Sequence, residues 1–219
     1  YISQIYFYQK KYKELITFIE PLSEKVISAR KFEINRLLAD AYYNTADYAK
    51  AINYYESILA DNSINSSLVH FLLGYSYFKK SDYLNAITNL EKVSRSSDSL
   101  LQYSSYYLGC SYLALENYNY ALQAFKRSSI FNYNLELQED AFFNYAKLSY
   151  QLELPFDNTL NILQTYLRDY EHSIHKKEIE TLIVEVLQGT SKYKEAYDVL
   201  IGLDTLSYNQ KIYFEKLSF

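Results

Sequence analysis

The sequence predicts an all-α fold, a right-handed α-solenoid of antiparallel helix hairpins. The first observation is a set of apolar and small residues that recurs about every 35 residues, a fixed period that indicates a repeat array. The second is the scarcity of helix breakers, with 4 Gly and 2 Pro in 219 residues, which favours helices and implies few turns of positive φ. The third is that only short linkers separate successive apolar stretches, which places neighbouring helices antiparallel.

The clearest copy of the repeated set runs from Leu73 to Val93. The set consists of a leucine followed by a small residue, three or more aromatic or aliphatic residues, and one alanine. They are Leu73-Gly74, Tyr77, Tyr83, Ala86 and Leu90 in this copy, Leu38-Ala39, Tyr42, Tyr48, Ala51 and Tyr55 in the copy before it, and Leu108-Gly109, Tyr112, Tyr118, Ala121 and Phe125 in the copy after it. Because each unit of such an array contacts only its neighbours, residues 1–219 are predicted to form a single solenoid domain.

Applied along the chain, this pattern predicts six hairpins, of which the first is partial, and a terminal half-repeat. Their bounds are 1–28, 32–61, 65–96, 99–131, 136–170, 174–203 and 206–219. In the first copy, Pro21 is expected to shorten the second helix. In the second copy, helices are predicted over about 32–44 and 48–59, with Asp47 as the N-cap of the latter. Pro155 belongs to a longer turn in the fifth copy.

Small residues at fixed places indicate where helices approach closely. Gly74 and Gly109 lie inside predicted helices, where glycine costs roughly 0.5–1 kcal/mol relative to alanine, so a close contact must justify them. Ala86 and its counterparts have the same role on the second helices. The tyrosines at 42, 77 and 112 are expected to fill the space between the helices.

The spaced Leu-Gly, Tyr, Tyr, Ala and aromatic positions resemble the tetratricopeptide repeat, and most closely so over residues 34–128. Two features depart from that family: the proline that usually closes each repeat is absent, and the turn glycine is mostly replaced. The stretch AFFNYAKLSY is also similar to multi-repeat bacterial proteins of the cell envelope, which favours a bacterial periplasm or envelope over the cytoplasm. The resemblance implies that the first helices of the hairpins line a concave surface that binds proteins.

Projecting the first helices at 3.6 residues per turn predicts which side chains occupy that concave surface. They are Tyr43, Phe71, Tyr75, Phe78, Tyr103, Tyr106, Phe143 and Tyr150. An aromatic surface of this kind suits an apolar peptide or helix. The lysine, arginine and asparagine set that family members use to grip a carboxylate is missing, so that activity is not expected. The alternative is that neighbouring first helices pack together and hide these rings.

No catalytic residue, metal site or cofactor is predicted. The sequence lacks a phosphate-binding glycine loop, a nucleophile elbow, and the H-E-x-x-H and C-x-x-C patterns. His172 and His175 have a spacing that could hold a metal, but a solvated loop is expected there. His70 is expected to pack between helices, and Cys110 to be a buried or groove-lining thiol.

Composition narrows the partners further. The net charge of −4 comes without a basic stripe, so nucleic acid is not an expected partner. No apolar run is long enough for a membrane span. The chain has no Met at all, so we expect that its natural N-terminus is missing.

The function predicted from the sequence is a non-enzymatic protein-interaction scaffold. Its partner would be a protein or peptide, or other regions of its own full-length chain. One alternative is a sensory or regulatory module of a larger multidomain protein. A second is an α/α-barrel carbohydrate-active protein, which the strict period of about 35 residues disfavours.

Overall fold

A computed structural model describes residues 2–25, 28–60, 66–94, 96–188, 193–201 and 208–217. These residues form two compact units, one of residues 1–117 and one of residues 118–219. Residues 61–65, between the second and third copies, lie outside the described residues, as does the end of the sixth copy.

The first unit contains seven α-helices in its described residues, together with one 3₁₀ helix at Glu20–Lys25. The helices are α1 (Ile2–Tyr8), α2 (Tyr12–Ile19), α3 (Ser28–Asn44), α4 (Tyr48–Leu59), α5 (Ser67–Lys79), α6 (Tyr83–Leu90) and α7 (Asp98–Ala114). Helices α1/α2, α3/α4 and α5/α6 form hairpins. The second helix of each hairpin also packs against the first helix of the next.

The second unit contains six further α-helices in its described residues. They are α8 (Tyr118–Ser129), α9 (Leu135–Gln151), α10 (Phe156–Asp169), α11 (Lys176–Gln188), α12 (Tyr193–Ile201) and α13 (Tyr208–Leu217). No strand occurs among the residues that the structure describes. The predicted fold class, an all-α solenoid of helix hairpins, is therefore confirmed.

The turns inside the hairpins contain residues of positive φ, although the scarcity of glycine had predicted few such residues. Each of the five hairpin turns that the structure describes has one non-glycine residue with φ between 49° and 61°: Lys10, Ala46, Ser81, Glu116 and Glu153. These residues recur with the period of the sequence pattern. Left-handed backbone costs an L-residue roughly 1–2 kcal/mol. The hairpin geometry thus imposes positive φ at every one of these turns, and the expectation of few such turns was wrong.

Several helix ends match the sequence analysis. Helix α4 begins at Tyr48 and ends at Leu59 as predicted, and the Asp47 carboxylate accepts a hydrogen bond from the Lys50 backbone N–H at 3.2 Å. Helix α2 ends at Ile19, and the chain around Pro21 continues as the 3₁₀ helix. Proline lacks the N–H that another α-helical turn would require.

Small residues lie at the helix contacts, as their spacing predicts. Ala39, Ala51, Ala86 and Ala121 are completely buried. A Cβ atom added to Gly74 would lie 2.7 Å from Cγ of Leu90, which is closer than carbon atoms can approach. Helices α5 and α6 are therefore in contact at Gly74, and glycine is needed there because any side chain would push them apart.

Candidate functional site

Helices α3, α5 and α7 of the first unit carry a continuous group of aromatic rings. All of these rings are half-buried, so each one is packed on one side and retains some solvent exposure. We call this group the aromatic face, and it consists of Tyr43, Phe71, Tyr75, Phe78, Tyr103, Tyr106 and Tyr107. The first six were predicted from the sequence.

Tyr75 lies at the centre of the aromatic face. Its ring centroid is 5.7 Å from that of Tyr43 on α3 and 4.7 Å from that of Tyr107 on α7. On its own helix it lies 6.2 Å from Phe71 and 6.4 Å from Phe78. Because edge-to-face aromatic pairs are worth about 0.5–1.5 kcal/mol beyond their area, these contacts hold the three helices in a defined arrangement.

Tyr107 belongs to the aromatic face but was missed in the sequence analysis. Its ring packs 5.1 Å from Phe78 and 5.4 Å from Tyr106. Its place in the repeat is that of Leu72, one residue away from the predicted exposed positions. The signal that could have identified it is the change from leucine to tyrosine at that place, because a longer side chain extends to the rings of the neighbouring helix.

Two tyrosine hydroxyls of the aromatic face, those of Tyr43 and Tyr107, have raised pKa values. Burial raises the pKa of Tyr43, and the nearby Tyr75 and Tyr48 raise it further. Burial is also the main cause of the raised pKa of Tyr107, followed by Tyr75. The amino group of Lys79 lies 5.9 Å from the Tyr75 ring centroid, at one edge. The face therefore presents aromatic rings and, at Tyr43 and Tyr107, neutral hydroxyl groups.

The two remaining predicted residues lie in the second unit, in different surroundings. Phe143 is only 6% exposed and packs in the core around Leu163 and Ile183. Its ring is stacked on His175 with centroids 3.8 Å apart. Tyr150 is half-buried, and a hydrogen bond with Glu185 raises its pKa. Phe143 offers little surface to a partner because the ring of His175, in the turn just before α11, is stacked on its ring.

His70 and His175 pack against neighbouring side chains. His70 is buried between α5 and α6, with Nδ1 3.4 Å from the Asn89 side-chain oxygen, and burial lowers its pKa. His172 is exposed, whereas His175 packs on Phe143. Within the described residues, no group of three or more His, Cys, Asp or Glu side chains could hold a metal ion. Cys110 is half-buried.

Sequence comparison identifies one repeat directly. A family model of the tetratricopeptide repeat matches residues 33–60, which cover most of α3 and α4. No curated protein matches the chain. In the residues that the structure describes, we find no helix with the length and apolarity that crossing a membrane requires.

Solved structures support the same fold. A crystal structure of MamA superposes with a TM-score of 0.54 at 19% identity, covering 83% of this chain and 92% of that one. A second MamA structure, MSR-1 C2, gives 0.55 at 14% identity, with 86% and 97% covered. PilF of Pseudomonas aeruginosa gives 0.56 at 16% identity, with 99% and 93% covered. At these identities the similarity is one of fold.

Proposed function

Because the chain is a tetratricopeptide repeat protein, we propose that it is a non-enzymatic protein-interaction scaffold. Its binding surface is the aromatic face, and its partner is a protein segment that presents apolar side chains, either as a helix or as an extended peptide. The repeat pattern itself builds the array. Specificity then depends on the side chains between the repeat positions.

The observation that carries this proposal is the continuity of half-buried rings across α3, α5 and α7. Rings of Tyr43, Tyr75 and Tyr107 join the three helices, and each keeps some exposure. Tyrosine is enriched at binding hot spots because its ring buries a large area while its hydroxyl still forms hydrogen bonds. Packing between the first helices therefore orients the rings without burying them completely.

The chemistry of the face favours an apolar partner over a charged one. Its ring residues have no charged side chains, and the raised pKa values of Tyr43 and Tyr107 keep their hydroxyls neutral. A cation, the amino group of Lys79, lies near the Tyr75 ring at one edge of the aromatic face. An apolar helix could pack its side chains on the rings while its polar groups meet tyrosine hydroxyls at the rim.

The test begins with affinity capture from the native organism, followed by purification of the captured protein. Its dissociation constant is then measured for the natural chain and for the double variant Tyr75→Ser, Tyr106→Ser. Loss of two hot-spot rings should weaken binding by about 2 kcal/mol or more, which is roughly 30-fold. Far-UV circular dichroism at the assay temperature confirms that the variant is folded.

The matched control is Tyr133→Ser, since Tyr133 is an aromatic residue that is 67% exposed and lies outside the aromatic face. It should bind the partner as the natural chain does. A folded double variant with unchanged affinity would overturn the proposal. A double variant that loses stability but captures the partner normally would show that the rings serve packing between helices.

A further inference from the structure

The second unit contains a cavity of about 350 Å³ between helices α8, α9 and α10. Polar side chains line one part of it: Gln123 and Lys126 of α8, and Asn158 and Asn161 of α10. We call it the α8–α10 cavity. It lies in a different unit from the aromatic face, so the inference below does not depend on the proposed function.

The polar side chains of the α8–α10 cavity are exposed and available to a ligand. Among the described residues, Gln123, Asn158 and Asn161 have no side-chain hydrogen bond. Lys126 makes no ion pair within the same part of the chain, but its amino group lies 5.8 Å from the ring centroid of Tyr145 on α9. That distance is within the range of a cation–π contact. The contact holds a positive charge beside the cavity.

The α8–α10 cavity differs in charge from two other cavities of the second unit. No aspartate or glutamate of the described residues lines it, although the whole chain has a net charge of −4. The other two cavities, of about 410 and 420 Å³, are each lined by carboxylates: Glu136, Glu139 and Asp140 in one, and Glu139, Asp169 and Glu171 in the other. Because Lys126 brings a positive charge into a lining without a described carboxylate, the α8–α10 cavity favours a ligand that supplies one.

The less exposed part of the cavity lining is apolar. Leu122 of α8 is only 4% exposed, and Leu154, Ile162 and Tyr145 are half-buried. The Tyr145 ring is stacked on that of Phe142, with centroids 6.0 Å apart. An inorganic anion would leave this apolar area uncovered, whereas a carboxylate next to an aliphatic side chain would cover it.

The amide side chains of the lining suit a peptide backbone. Each asparagine or glutamine amide offers two N–H donors and a carbonyl acceptor. An extended segment presents backbone N–H and C=O groups that need partners of both kinds. Asn158 and Asn161 are three residues apart on α10, so they lie on one face of that helix. The two amides can therefore bind the backbone of a segment whose acidic side chain meets Lys126 on α8.

We propose that the α8–α10 cavity binds an extended segment of a partner protein in which a glutamate or aspartate is flanked by aliphatic residues. The carboxylate pairs with Lys126, the backbone bonds to the amides of Asn158 and Asn161, and an aliphatic side chain packs on Leu122 and Ile162. A small acid without a peptide backbone meets only part of this lining. The segment also differs from the uncharged one that suits the aromatic face.

The probe is the peptide Gly-Ser-Leu-Glu-Leu-Ser-Gly, labelled with rhodamine at its N-terminus and amidated at its C-terminus. Its matched control carries glutamine in place of glutamate. Fluorescence anisotropy with the full chain at low salt should show saturable binding, with about tenfold higher affinity for the glutamate peptide. Raising the salt concentration to about 300 mM should reduce this difference, because ions screen a pair at the exposed Lys126.

A third peptide distinguishes the other source of a carboxylate, the end of a chain. It is the glutamine peptide with a free C-terminal carboxylate instead of the amide. It should bind no more tightly than the amidated glutamine peptide, because its carboxylate does not lie between the two leucines.

Two charge reversals on α8 test the location. Lys126→Glu should weaken the glutamate peptide about tenfold or more, because it places a like charge beside the bound carboxylate. Arg127→Glu is the matched control, since Arg127 is exposed, lies in the same last turn of α8 and is not part of the lining. It changes the net charge equally and should weaken binding less than about threefold. Far-UV circular dichroism confirms that both variants are folded.

Asn161→Ala tests the contact with the backbone of the segment. It should weaken the glutamate and glutamine peptides by a similar factor, about fivefold, because the backbone is the same in both. Gln164→Ala is the control, since Gln164 is exposed on the same helix and lies outside the lining. It should leave both affinities unchanged.

Four results would overturn the proposal. One is the absence of saturable binding by the glutamate peptide. Another is equal affinity for the two amidated peptides, or equal weakening by Lys126→Glu and Arg127→Glu. The third is tighter binding of the peptide with the free C-terminus than of the glutamate peptide, which would assign the cavity to a chain end. The fourth is self-association of the chain in analytical ultracentrifugation that Lys126→Glu abolishes and Arg127→Glu does not, which would assign the cavity to a second copy.

Discussion

The hydroxyl group of Tyr77 donates a hydrogen bond to the carboxylate of Glu56, 21 residues earlier in the chain. The bond joins the first helix of one copy, α5, to the second helix of the copy before it, α4. The same contact recurs between Tyr42 and Glu20, at 2.5 Å, and between Tyr112 and Glu91. Each of these three copies is thus linked to the copy before it by a tyrosine that belongs to the repeat pattern and a glutamate that does not.

Tyr77→Phe should lower the free energy of unfolding by about 1 kcal/mol. The ring remains, so only the hydrogen bond to the carboxylate is lost, and the exposure of Glu56 limits the cost. Urea denaturation measures the change. In a double-mutant cycle with Glu56→Gln, the two effects should be less than additive, and full additivity would contradict the contact. Tyr133→Phe, at an exposed tyrosine, should have no effect.

The stability of the first unit should fall in alkaline solution. Burial, and next a hydrogen bond with Glu20, raises the pKa of Tyr42 to about 12. An unfolded tyrosine titrates near pH 10. Between these values the unfolded chain has lost the proton that the folded chain retains, so stability is complete below about pH 10 and declines toward pH 12.

Urea unfolding at pH 9 and at pH 11.5 tests this prediction. Tyr42→Phe should lower stability at pH 9 but reduce the further loss on going to pH 11.5, because the variant no longer has this ionisable group. Other tyrosines with raised pKa values, such as Tyr55, will leave a residual decline. An identical pH dependence for the variant and the natural chain would contradict the assignment to Tyr42.

Gly74→Ala should destabilise the protein by about 1–3 kcal/mol, although alanine is the better helix former. The added methyl group would lie 2.7 Å from Cγ of Leu90 and 3.1 Å from its backbone nitrogen. Thermal or urea unfolding measures the cost. When Leu90 is first replaced by alanine, the same substitution should cost clearly less, because the Cγ contact is gone and only the close approach to the backbone nitrogen, at 3.1 Å, remains. A cost that is unchanged in that background would show that Leu90 is not the obstacle.

Ala46→Gly should stabilise the protein by about 1 kcal/mol, because Ala46 has a φ of 61° and glycine adopts that conformation without strain. The matched control is Ala49→Gly, an exposed alanine within the first turn of α4. It should cost about 0.5 kcal/mol. Urea denaturation midpoints that shift in the same direction for both variants would contradict this account of the turn.

Much of the helical framework follows from local sequence. The bounds of α4, the N-cap Asp47 and the close contact at Gly74 were predicted correctly, because each depends on residues within one hairpin. The positive φ at Ala46 and Ser81 was not, because nothing about alanine or serine signals a left-handed backbone. There the hairpin geometry overrides the preference of the residue.

The candidate site was predicted less completely, since exposure depends on neighbouring helices. Six positions of the aromatic face were chosen from a helical projection, which shows the direction of a side chain but not what meets it. Tyr107 extends across to Phe78, and Phe143 is covered by His175, 32 residues further along the chain. Neither contact could be deduced from the spacing within one helix.

The sequence by itself determined the repeat array. Small residues such as Gly74 and Ala86, spaced at a constant interval between aromatic residues, allow only helices that pair closely and stack. Only the tertiary structure decided which rings remain exposed and which tyrosine pairs with which glutamate. These features depend on side chains about 20 to 35 residues apart that meet only after the hairpins have packed, and the free energy of each contact depends on the burial that this packing creates.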